Sequence, residues 1–213
     1  MSEQPGWYAR LDAPEGAGKT TQINLAKQYN EEMGIGAVFV HEPGGTELGL
    51  VYRDILLNNK KYTLTPQEEL AVFTADRIHL WETVIYPALQ DNRPVISDRG
   101  VESGVGYQAG GGAIPTDTIW EVTRLLLPER YVKPDALALL ALSRETQRQR
   151  LDKRHLDLGR DKIESRGEAY FDRVHAAYKE MEAFDHSHVV DAERSPEEIF
   201  EDLKPILFGP FTR

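Results

Sequence analysis

Ala13-Pro14-Glu15-Gly16-Ala17-Gly18-Lys19-Thr20, lying between a short apolar run and an amphipathic one, decides how the rest of the chain is read. A loop that grips phosphate needs glycines that let backbone N–H groups converge on oxygen anions, a lysine that reaches the β- and γ-phosphates, and a hydroxyl able to ligate Mg2+. Gly16, Gly18, Lys19 and Thr20 supply these parts. The general pattern G-x-x-x-x-G-K-[ST] opens on glycine where this chain has Ala13, a replacement tolerated if the backbone there keeps a negative φ. Trp7 to Asp12 reads as a strand, with Arg10 out of place if both faces are buried, and Thr20 to Met33 carries Ile23, Leu25, Ala26 and Tyr29 at helical spacing. The motif thus falls at a strand-to-helix junction, where phosphate loops belong, and the chain is expected to handle nucleotide phosphates.

Composition narrows the class. A chain of 213 residues suits one domain, residues 1–213, with a substantial core of its own. The absence of cysteine excludes a disulfide framework and thiolate-bound zinc. No basic leader precedes an apolar stretch, and no run of about 18 apolar residues occurs, so a cytoplasmic protein with no membrane partner is expected. The formal net charge of −10 disfavours broad attraction to nucleic acid, and no nucleic-acid partner is expected. One segment reverses that balance: Arg144, Arg148, Arg150, Lys153, Arg154, Arg160 and Lys162 crowd residues 144–162.

Strand and helix signals alternate, which argues for a mostly parallel sheet covered by helices, an α/β class. Gly36 to His41 is a β-branched run ending in Glu42-Pro43-Gly44-Gly45-Thr46, and Val51 to Leu57 reads as a helix. Thr65 to Leu89 holds one or two helices, with Thr65 as cap and Pro66 in the first turn. Pro94 to Asp98 is a second buried-strand candidate whose terminal carboxylate lies where parallel sheets present ligands. Ala109 to Gly112 reads as a flexible connection, Thr118 to Leu127 as a helix and Pro134 to Leu140 as a strand. Helical spacing over Ile163 to Met181, a strand at His188 to Asp191 and a helix from Pro196 to Leu207 complete the alternation.

A phosphate loop alone does not separate a kinase from a GTPase, a motor or a regulatory ATPase. The chain lacks Asn-Lys-x-Asp, the guanine signature, and is short for a motor, so a small kinase fits best. Transfer between two nucleotides needs cations around a charge-spread transition state, and the arginine-rich segment reads as a lid that would supply them.

In its motifs the chain resembles the thymidylate kinases. Asp12 to Thr21 resembles the family's Glu-Gly-x-Asp/Glu-Gly-Ala-Gly-Lys-Thr-Thr, His41 to Thr46 its Arg-Glu-Pro-Gly-Gly-Thr, and Phe73 to Arg77 its Phe-Ala-Ala-Asp-Arg. Asp98 to Gln108 resembles Asp-Arg-Tyr-x-x-Ser-x-x-Ala-Tyr-Gln, Lys133 to Asp135 repeats Lys-Pro-Asp, and Asp161 to Glu164 resembles Asp-Arg-Ile-Glu. The resemblance implies a three-layer fold with about five strands, a lid near residues 144–162, a homodimer, and phosphorylation of dTMP to dTDP with ATP and Mg2+. It implies an ATP site at Glu15, Gly16, Ala17, Gly18, Lys19, Thr20 and Thr21, with Thr20 and Asp98 toward the metal. On the acceptor side it implies that Glu15 meets the 3′-hydroxyl, that Arg53 and Arg99 hold the monophosphate, and that Phe73 stacks on the base while Arg77 bonds its O4. Ser103, Gly104 and Gln108 would line the base segment, and Tyr107 would crowd the 2′ position. Lys19, Arg99, Glu15, Arg150 and Arg154 are the catalytic candidates.

Read singly, these residues also have plain explanations: Phe73 as core, the arginines as partners of surface carboxylates, Asp98 as a helix cap. The histidines show no metal-ligand spacing and are given no role. Four departures bear on acceptor and activity: Ala13 for the loop's first glycine, His41 for arginine, Gly100 for the aromatic after Asp-Arg, and Ala141 for an aspartate. Gly100 and His41 leave open a related kinase with another acceptor, and Ala13 and Ala141 a nucleotide-binding regulator without turnover.

Overall fold

The computed structural model describes residues 6–59, 61–111, 114–158 and 166–212, with the side chains of 154–158 outside that description. Five strands form one parallel sheet in the order β2-β3-β1-β4-β5: β1 Tyr8–Asp12, β2 Val38–His41, β3 Val95–Asp98, β4 Ala136–Ala141 and β5 Ser187–Asp191. β1 is central, so its end and the ends of β3 and β2 open into one crevice, the place where open parallel sheets bind ligands. The phosphate motif follows β1, Arg99 follows β3 and the Glu42 loop follows β2.

The period of two along the strands sorts the core into two layers. Tyr8, Val95, Leu137 and Leu139 face one layer, packed against Phe73, Leu80, Trp81, Val174 and Tyr178. Ala9, Leu11, Ile96, Ala136 and Ala138 face the other, where the three alanines leave room for helices α1, Lys19–Met33, and α10, Pro196–Phe208, which pack through Ile23, Ala26, Leu203 and Leu207. The crossover helices are α2 Glu47–Arg53, α3 Pro66–Leu80, α4 Tyr86–Gln90, α5 Val101–Gly104, α6 Thr116–Leu126, α7 Glu129–Val132, α8 Arg144–Leu158 and α9 Glu168–Met181.

Local signals explain several boundaries. Thr65 and Glu68 form a reciprocal capping box with Pro66 in the first turn of α3, and Ser195, Glu198 and Pro196 repeat that arrangement on α10. Two sequence expectations are revised. The helix expected from Val51 begins at Glu47, because the Thr46 side chain accepts from the Gly49 N–H and caps it. The glycines after Ala109 are not a loose connection: a side chain on Gly110 would meet Ala177 Cβ at 2.6 Å, and one on Gly111 would meet Tyr170 Cε2 at 2.4 Å. Gly110 and Gly111 are small because α9 presses on them.

Arg10 lies in β1, beside Ser97 of β3 and Leu137 of β4, fully buried. Its charge is met by Glu102 of α5, equally buried, at 3.0 Å, and its Nη2 also donates to the Val132 carbonyl at 3.1 Å. The guanidinium lies 5.2 Å from the Tyr131 ring centre. An arginine in a doubly covered strand is accommodated because a carboxylate, a carbonyl and aromatic faces replace water around it.

Candidate active site

Every segment quoted for the phosphate loop and the acceptor reaches the crevice. The loop after β1 carries Gly16 at φ 79° and Gly18 at φ 89°, conformations that glycine adopts without strain, and Ala13 is absent from the positive-φ residues, so the expectation for it holds. Lys19 Nζ stands 3.1 Å from Asp98 Oδ1. Burial, and then the Arg99 guanidinium, push the lysine below its ordinary value, while Asp98 opposes them. Burial pushes Asp98 up, but Lys19 and Arg99 outweigh it and hold the carboxyl below its ordinary value. Asp98 is therefore committed to a cation and does not cap α5, whose N-cap is Gly100 without a side-chain bond.

Arg99 is a non-glycine residue at φ 79°, a conformation that needs support from its surroundings. Its N–H donates to Leu11 O at 3.0 Å and its carbonyl accepts from Ser97 Oγ at 2.8 Å. Its Nη1 reaches Ser103 Oγ at 2.8 Å, and the guanidinium sits 5.3 Å from the Tyr107 ring centre. Behind it, the buried Asp12 carboxylate accepts from the N–H groups of Ala13, Gly100 and Ser103 and from Tyr178 Oη at 2.8 Å. Asp12 is a hub that ties the loop after β1 to the loop after β3.

Two cavities with lining residues in common result. The phosphate side, about 470 Å³, is lined by Pro14 to Thr20, His41, Glu42, Arg53, Asp98, Arg99 and Arg150. The base side is lined by Glu15, Arg53, Phe73, Arg77, Arg99, Ser103, Tyr107 and Gln108, joined by Glu42, Pro43, Leu57 and Gly100. Gly104 sits just behind, its Cβ position 3.4 Å from Arg77. Thr21 is exposed on α1, away from either lining. Glu15 donates its backbone N–H to Tyr107 Oη at 3.1 Å, which joins the phosphate loop to the base side.

The basic segment divides. Arg144 pairs with Glu168 and Asp172 of α9, and Arg148 pairs with Glu168, so both serve helix packing. Arg150 instead reaches the phosphate cavity, donating to the Gly16 carbonyl at 3.4 Å and to Ala192 O at 3.0 Å. Arg154 falls where side chains are not described, and residues 159–162 of the expected lid lie outside the described residues. Buried Gln147, unforeseen in the sequence, fastens α8 to the loop by donating to Glu15 O at 2.9 Å.

A Cβ on Gly100 would lie 2.5 Å from Arg10 Cδ, so arginine from β1 occupies the space beside this glycine at the edge of the base-side cavity. Glu42 and Asp76, also unforeseen, are both buried. Burial pushes Glu42 up to about 7 against the pull of Arg77 and Tyr131. Burial likewise pushes Asp76 up to about 6, although it accepts from the Gly44 N–H. The family motif did contain Glu42; what it could not show is that the side chain turns inward.

Metal donors follow hard-cation chemistry. Among the described residues no cluster of three or more His, Asp or Glu could hold an ion alone. Thr20 and Asp98 offer a hydroxyl and a carboxylate beside a roomy anion site, a donor set that suits Mg2+ bound mostly by phosphate oxygens and water.

Comparison with known proteins agrees with this arrangement. The thymidylate kinase family model matches residues 11–203. The thymidylate kinase of Leifsonia xyli is 33% identical over 98% of this chain and 97% of that protein, and that of Fervidobacterium nodosum is 31% identical over 94% and 98%. A crystal structure of thymidylate kinase from Ehrlichia chaffeensis superposes with a TM-score of 0.72, covering 93% of this chain and 97% of that one; at 24% identity this likeness establishes the fold. A phosphate loop on a central parallel strand, an Asp-Arg pair on its neighbour and relatives of full length all lead to one conclusion: this chain belongs to the thymidylate kinase family.

Proposed function

We propose that this chain transfers the γ-phosphoryl group of ATP to dTMP, giving dTDP for dTTP synthesis, and that it does so in the cytoplasm as one domain. The observation that carries this reading is the sharing of Glu15, Glu42, Arg53 and Arg99 between the two cavities. A donor phosphate chain over Gly16 to Thr20 and an acceptor phosphate between Arg53 and Arg99 would then meet at one place, as in-line transfer requires. Guanidinium groups suit the acceptor phosphate because they can donate two parallel bonds. Lys19 and Arg150 supply further positive charge where the transition state spreads its negative charge.

Thr20 and Asp98 would hold Mg2+, which supplies charge neutralisation on the nucleotide when bound. Glu15 would meet the acceptor sugar, Tyr107 would crowd its 2′ side, and Phe73 with Arg77, Ser103, Gly104 and Gln108 would receive the base. Arg154 is retained as a second lid cation on the resemblance alone. No helix among the described residues is long and apolar enough to cross a membrane, and no nucleic-acid partner is invoked.

An ATP-consumption assay with Mg2+ against dTMP, dUMP, UMP, CMP, AMP and GMP tests the reading. Highest kcat/KM for dTMP is expected; preference for another acceptor, or no turnover with any, overturns it. The reading includes a homodimer, supported by the exposed apolar residues Leu48, Leu50 and Val51 of α2, at 41%, 57% and 53%. Light scattering is expected to return twice the 24.1 kDa chain mass, and a monomer at micromolar concentration removes that part.

A further inference from the structure

Arg77 enters the base-side cavity from α3 gripped at two points. Its Nε donates to Glu42 Oε2 at 3.1 Å, and Nη2 donates to the Gly100 carbonyl at 3.1 Å. Among the described residues Nη1 makes no hydrogen bond, and the guanidinium lies 5.7 Å from the Phe73 ring centre. A guanidinium is a rigid planar fork with donors only, so fixing Nε and one Nη2 hydrogen also fixes the direction of the remaining edge.

Glu42 is itself held. It is buried, Tyr131 Oη donates to its Oε2 at 2.8 Å and lies 3.0 Å from Oε1, and its backbone N–H donates to Asp98 O at 3.0 Å. Tyr131 in turn packs against the Arg10 guanidinium. The carboxylate is thus occupied by Tyr131 and Arg77, and although Glu42 also lines both cavities its hold on the base side is its bond to Arg77.

We propose that Glu42 is the positioning residue for Arg77, aiming its free donor edge into the cavity so that a 4-oxo pyrimidine is accepted and a 4-amino pyrimidine is refused. A carbonyl at position 4 accepts from that edge. An amino group there sets donor against donor and leaves buried N–H groups without partners, the kind of mismatch a hydrogen-bonding site rejects most strongly. This inference rests on the reading that the acceptor base lies between Phe73 and Arg77.

The test measures kcat and KM for dTMP and dCMP in the wild type, Glu42→Met, Glu42→Gln and Arg77→Met. Glu42→Met is expected to lower the dTMP-to-dCMP ratio of kcat/KM by at least about tenfold, through KM for dTMP, with KM for ATP unchanged. Glu42→Gln keeps an acceptor at the same reach and is expected to retain most of the ratio. If Arg77→Met leaves the ratio at the wild-type value, the base-site reading falls and takes the proposal with it. If Arg77→Met collapses the ratio and Glu42→Met does not, the proposal alone falls. A uniform loss of activity toward both acceptors also overturns it, since a purely structural role predicts that. Should Glu42→Met fail to fold, Tyr131→Phe, which frees Glu42 from its hydroxyl, is expected to shift the ratio in the same direction, and an unchanged ratio there overturns the proposal.

Discussion

Lys19→Ala lowers kcat for phosphoryl transfer by about 10²–10³-fold, while KM for the acceptor changes little. Lys19 is the cation that the phosphate loop itself contributes, and its ammonium faces Asp98 at 3.1 Å in the wall of the phosphate cavity. Burial and the neighbouring Arg99 disfavour its charge, so the charge is kept in a place that water solvates poorly. A cation already desolvated and fixed stabilises developing negative charge without reorganising at the moment of reaction. Arg53 and Arg99, proposed to hold the acceptor phosphate, remain in the variant, so acceptor binding is expected to be spared. Steady-state kinetics with Mg2+ and ATP decide the matter: a kcat within about threefold of the wild type leaves the assigned mechanism without its central cation.

Arg10→Met destabilises the fold by about 3–5 kcal/mol, although Arg10 lines neither cavity. The substitution keeps an unbranched stem against Gly100 but leaves the Glu102 carboxylate buried without its counter-charge. Burial already pushes Glu102 above its ordinary value, with Arg10 opposing. Removing Arg10 raises it further, so the folded variant keeps a proton that the unfolded chain has released. Stability then falls as pH rises above the ordinary carboxyl range, and the loss is smaller at pH 5 than at pH 8. Adding Glu102→Met to Arg10→Met is expected to restore most of the stability, because two apolar side chains of similar volume need no partner. Denaturant unfolding at both pH values checks this; a single variant that loses less than about 1 kcal/mol, or a double variant worse than the single, contradicts it.

These two residues also show what a sequence reveals and what it withholds. The place of Lys19 in the phosphate cavity was legible because it is written in neighbours one to six positions away, and that of Thr65 because a cap is a local signal. Asp98 and Arg99 were legible because an apolar run ending in a carboxylate marks the mouth of a parallel sheet. Arg10 looked like an objection to its own strand, since its partner lies on α5 and only the β1–β3 register brings the two together. Glu42 was visible as part of a motif, yet its inward turn depends on Tyr131 and Arg77, which are distant in sequence. Gln147 carried no signal at all within a polar helix, and its docking on Glu15 O is a product of how α8 leaves β4. Pairings of this kind are set by the sheet, not by spacing.

The interlock of Arg10 with Gly100 couples the two positions as sites of substitution. The two positions share one volume, since the first side-chain atom on residue 100 would fall 2.5 Å from Arg10 Cδ. A chain with an aromatic at 100 and one with arginine at 10 are therefore not neighbours in sequence space: the state with both large is sterically closed. Any path between them runs through a form that is small at both positions and carries a void beside the sheet, costing roughly 2–5 kcal/mol. Grafting the family's aromatic onto position 100 therefore first requires a small residue at position 10.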